Sequence, residues 1–63
     1  MNNQREKQEL VARLAQLRLE EKMCRWVFMN NTDAPKEKMD AILDRKKQIE
    51  RAIKFCEERL KKL

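Results

Sequence analysis

MDAILDRKKQIERAIKFCEERLKKL, residues 39–63, sets an apolar side chain at nearly every third or fourth step: Met39, Ile42, Ile49, Ile53, Cys56, Leu60 and Leu63, with Lys46 in the one remaining position of the series. Alternating steps of three and four keep these side chains on one stripe of a helix, the repeat of a coiled-coil seam. Upstream, Leu10, Leu14, Leu17, Cys24 and Phe28 follow the same spacing, and Glu21 fills the gap. Each seam thus holds one charged residue, and the two are of opposite sign. Residues 4 to 30 contain no Gly or Pro and are rich in strong helix formers, so the first seam also reads as a helix.

The only cluster of turn residues is Asn30-Asn31-Thr32-Asp33-Ala34-Pro35. Without glycine, an asparagine is expected in the left-handed position that ends a helix, Thr32 or Asp33 is expected to cap the next helix, and Pro35 suits its first turn. The expected fold is therefore all-α: one antiparallel two-helix hairpin of coiled-coil type over residues 1–63, with helix one over about 4–30, a turn over about 31–34 and helix two over about 35–63. Folding back near residue 33 pairs Phe28 with Met39, Cys24 with Ile42, Glu21 with Lys46, Leu17 with Ile49, Leu14 with Ile53, and Leu10 with Cys56. Glu21 and Lys46 then meet in one layer. They read either as a half-exposed pair whose stems reach outward or as a key that specifies register. Glu9 with Arg13, Glu21 with Arg25, Glu50 with Lys54, Glu57 with Lys61 and Glu58 with Lys62 stand in the favourable order for ion pairs along each helix.

Helix one has a second apolar stripe opposite its seam: Ala12, Ala15, Leu19, Met23 and Trp26. A surface helix needs one apolar face, so the second is expected to bind something. The expected occupants are a second copy, with two hairpins dimerising into a four-helix bundle, or a larger partner protein anchored by Leu19, Met23 and Trp26. Below roughly 70–80 residues a single core rarely supplies more than about 3–5 kcal/mol, and self-association remedies this.

The chain of 63 residues carries 16 Lys and Arg against 11 Asp and Glu, a net charge of +5. Lys47, Arg51 and Lys54 line the outside of helix two and are the candidate contacts for nucleic acid, although Asp40, Asp44 and Glu58 lie beside them and no aromatic residue alternates with them to stack on bases. The main expectation is a solvated, lysine-rich face.

No Ser, His or Tyr is present and Thr32 is the only threonine, so the usual nucleophile and base pairs cannot be assembled and no enzyme is expected. Cys24 and Cys56 supply too few ligands for a structural metal site, and no cofactor is expected. Their seam positions lie about 14 residues apart along the hairpin, roughly 21 Å at about 1.5 Å per residue, so they are expected as free thiols in a reducing, cytoplasmic setting. The polar N-terminus lacks the apolar segment of a signal peptide, and the longest apolar run, Trp26 to Met29, is too short to span a membrane.

The sequence thus favours a small interaction module of the adaptor, co-chaperone or inhibitor type, with a basic nucleic-acid-binding regulator as the alternative and a purely structural assembly subunit third. In plan the hairpin is similar to the small plasmid-encoded RNA-regulating bundles and to the two-helix co-chaperones of secretion systems, a similarity of architecture that carries no residue correspondence.

Overall fold

The computed structural model describes residues 3–31 and 33–63. Two helices, α1 (Asn3–Asn30) and α2 (Lys36–Lys62), pack antiparallel as a hairpin, a rod of 51 × 14 × 12 Å. Neither is long and apolar enough to cross a membrane.

The apolar residues in the middle of the two seams come together. Leu17, Ile49 and Cys56 are buried, and Leu10, Leu14, Cys24, Ala52 and Ile53 pack against them. The Cys24 thiol donates to the Ile42 carbonyl at 3.5 Å, which puts these two residues at one level as the spacing requires. Three buried positions among the described residues make a thin core. Two helices crossing at one seam leave the rest of each cylinder in water, so the hairpin is held by a few apolar contacts and by what its flanks add.

Among the described residues those flanks carry three ion pairs between the helices: Arg59 with Glu6 at 2.9 Å, Arg45 with Glu20 at 3.3 Å, and Arg18 with Glu57 at 2.9 Å. Arg18 and Glu57 lie several residues apart in level, yet their side chains meet. Every helical side chain leans toward its own N-terminus, and in an antiparallel pair those two directions converge. Such partly exposed pairs contribute about 0–1 kcal/mol each.

The expected ion pairs within each helix are absent among the described residues. Glu9 instead pairs with Arg5 at 3.5 Å, Glu50 pairs with Lys46 at 3.9 Å, and Glu57 is drawn across to Arg18. A long cation can reach several carboxylates at nearly equal free energy, so helical spacing alone does not select the partner.

The ends of the helices also differ from expectation. No described residue adopts positive φ, so no asparagine takes the left-handed position. Asn30 and Asn31 instead donate their side-chain amides at 2.7 Å to the carbonyls of Trp26 and Val27, each four residues back in the last turn. Pro35 stands at the N-cap of α2 rather than inside its first turn, with φ −59° and ψ 151°, and among the described residues no side chain caps that end, Asp33 included. The Pro35 carbonyl accepts from the amides of Lys38 and Met39, which starts the helix. The alternative cap, Thr32, lies outside the described residues. At the other end of α2, Arg59, Lys61 and Lys62 in the last turn complement the negative end of the helix dipole.

Candidate interaction surface

The outer face of α1 is built by helical spacing alone. Ala12, Ala15, Leu19, Met23 and Trp26 are three or four residues apart, so they stack along one side of the helix, and all five are exposed. Leu19 keeps 59%, Met23 60% and Trp26 65% of its surface in water. Gln8 and Asn30 extend the stripe at its ends, while Gln16 and Lys22 lie at its edges. From Gln8 to Asn30 its axis therefore carries no charge, on a chain in which 43% of residues are charged.

Two further apolar residues belong to this face and escaped the sequence reading: Val11 and Met29, 51% and 67% exposed. They are eighteen residues apart, which is five helical turns, so both fall on the same edge of the stripe. That identical angle was the available signal. Among the described residues, the exposed large apolar side chains lie on this side of α1 except Phe55, which projects from the outside of α2.

Beside Met23, the two helices enclose an open groove of about 410 Å³ whose walls include Met23, Val27 and Ala41 and whose floor includes Cys24, Ile42 and Ile49. No sequence pattern announced it. Its lining comes from both helices, so it exists only once they pack.

Glu21 and Lys46 are both half-buried at the seam edge. Lys46 is paired with Glu50 of its own helix, and among the described residues no ion pair joins it to Glu21. The cross-helix ion pair nearest that level is Arg45 with Glu20. Glu21 lines an open, mixed-charge groove on the opposite flank, with Arg18, Lys22, Arg25 and Lys54 among its other walls.

Lys47, Arg51 and Lys54 are exposed and line a shallow depression with Glu50. Among the described residues, none of these three cations is in an ion pair, unlike Arg18, Arg45 and Arg59, which hold the hairpin together. Cys24 and Cys56 are free thiols, the first partly exposed and the second buried. Among the described residues no cluster of three or more His, Cys, Asp or Glu side chains could hold a metal ion.

No family model matches this chain, and no curated protein and no solved structure does either, so a functional reading rests on the chemistry of these surfaces.

Proposed function

We propose that this chain is a non-enzymatic helical-hairpin interaction module whose working surface is the outer face of α1, through which it binds a second copy of itself, a partner protein, or both. One observation carries the reading: Leu19, Met23 and Trp26 stand side by side in water on a hairpin whose described residues include three buried core positions. Fully covering each such side chain is worth about 1.5–3 kcal/mol, comparable with what the hairpin core itself supplies. Covering them on two copies gives a four-helix assembly and lets association complete the fold. The free thiols fit work in a reducing, cytoplasmic setting.

Leu19→Glu combined with Met23→Glu tests this directly, because neither residue lies in the hairpin seam. The double variant keeps its helicity by circular dichroism and loses association in sedimentation and in capture of partner protein from the native host. Undiminished association would refute the assignment.

The unpaired cations Lys47, Arg51 and Lys54 favour a second reading, a basic regulator that binds nucleic acid. Replacing all three with Gln discriminates the two. On the first reading the triple variant keeps its partner. On the second it loses binding, and the salt dependence flattens by up to about 3 units of log–log slope.

A further inference from the structure

The outer stripe of α1 is graded in size along the helix. Its N-terminal half presents Ala12 and Ala15, its C-terminal half presents Met23 and Trp26, and Leu19 stands midway. Turning a second copy by a two-fold axis through Leu19 brings together residues whose numbers add to 38. Ala12 then faces Trp26, Ala15 faces Met23, Leu19 faces its own counterpart, and Gln8 faces Asn30. Every large side chain meets a small one, and the polar ends meet as two carboxamides able to exchange hydrogen bonds. A parallel contact instead sets indole against indole at one end and alanine against alanine at the other, which forces the helices apart and leaves a gap.

We propose that the outer face of α1 is an antiparallel homodimer contact centred on Leu19, in which each Trp26 packs on the partner's Ala12 and each Met23 on the partner's Ala15. This rests on the assignment of α1 as the association surface and names its occupant and register.

Area and charge support the same occupant. Val11, Leu19, Met23, Trp26 and Met29 are each half to two-thirds exposed. With large side chains of about 150–250 Å² each, covering these five on two chains removes about 1,100 Å² from water. Ala12, Ala15 and Gln16 carry the total past about 1,200 Å², the lower bound for a specific interface. Val11 falls beside the partner's Met29, so the edge residues are covered as well. Two copies each carrying +5 repel, and the uncharged stripe is where they can approach. The stripe lies about 180° around α1 from its seam. The dimer is therefore a flat row, α2–α1–α1–α2, rather than a square bundle, in which the two faces of each helix lie closer to a right angle.

Nitroxide pairs in the full chain test the register. A label at Lys22→Cys and, separately, one at Gln4→Cys are placed in a chain carrying Cys24→Ala and Cys56→Ala, whose helicity and dimer Kd are first matched to the unmodified protein. The antiparallel contact separates the two Lys22 positions by about 9 Å along the axis and the two Gln4 positions by about 45 Å. Equal short distances at both sites would overturn the register while leaving α1 as the association surface. A dimer that survives Leu19→Glu with Met23→Glu would instead overturn the surface itself. The unmodified chain provides a second readout independent of cysteine replacement: Trp26 emission shifts to the blue with rising concentration, in step with sedimentation. Emission that stays red in a concentration-independent monomer would overturn the homodimer and leave the stripe to a different partner protein.

Discussion

The Cys24 thiol lies 3.5 Å from the Ile42 carbonyl oxygen, and that contact marks the level at which α1 passes α2. Counting outward from it along the antiparallel helices brings Leu17 to Ile49 and Leu10 to Cys56, the layers in which the buried residues are found. The hairpin has one register, and the apolar residues of that register carry its stability.

Ile49→Ala, at the most deeply covered isoleucine, should therefore destabilise the fold by about 2–5 kcal/mol. Phe55→Ala removes a larger side chain that is 69% exposed, and its effect should stay within about 0.5 kcal/mol. Denaturant melts of the two variants check the contrast. Equal losses would mean that Phe55 is covered in solution.

Double-mutant cycles should locate the coupling between helices at Glu20 and Arg45, with an interaction of about 0.2–1 kcal/mol that weakens as salt is added. Glu21 and Lys46, with Lys46 turned to Glu50, should show charge reversals that add within about 0.3–0.5 kcal/mol. Recovery of stability in the doubly reversed Glu21/Lys46 variant would show instead that these two meet.

Thiol accessibility should differ sharply between the cysteines. Cys24 is partly exposed and should react first with a thiol reagent under native conditions, whereas buried Cys56 should react only through opening of the hairpin, at a rate that rises with added urea. Mass spectrometry of the oxidised protein should show no intrachain disulfide, since a separation of roughly 21 Å exceeds the 7 Å limit about threefold.

Salt should act oppositely on the two functional readings. Self-association of chains carrying +5 tightens as ionic strength screens their repulsion, so the dimer Kd falls between low and moderate salt. Binding to nucleic acid weakens over the same range because counterions compete for the phosphates. Sedimentation and a polarisation assay, run across one salt series, read both signs.

The two helices, their antiparallel pairing and the layer register were all legible in residues 10–28 and 39–63, because a repeat sustained over several turns allows only one face to be buried. The opposite stripe was legible for the same reason, down to the placement of Leu19, Met23 and Trp26. Tertiary structure alone decided what local spacing leaves nearly degenerate. Whether Glu57 reaches Lys61 or Arg18, and whether Lys46 turns to Glu21 or Glu50, depends on differences of well under 1 kcal/mol among exposed charges, settled by how side chains lean across the seam. The chain reversal was likewise settled in three dimensions: any of its polar residues could serve as a cap by type, but the backbone path put the Asn30 and Asn31 amides on the carbonyls four residues back and left Pro35 to begin α2.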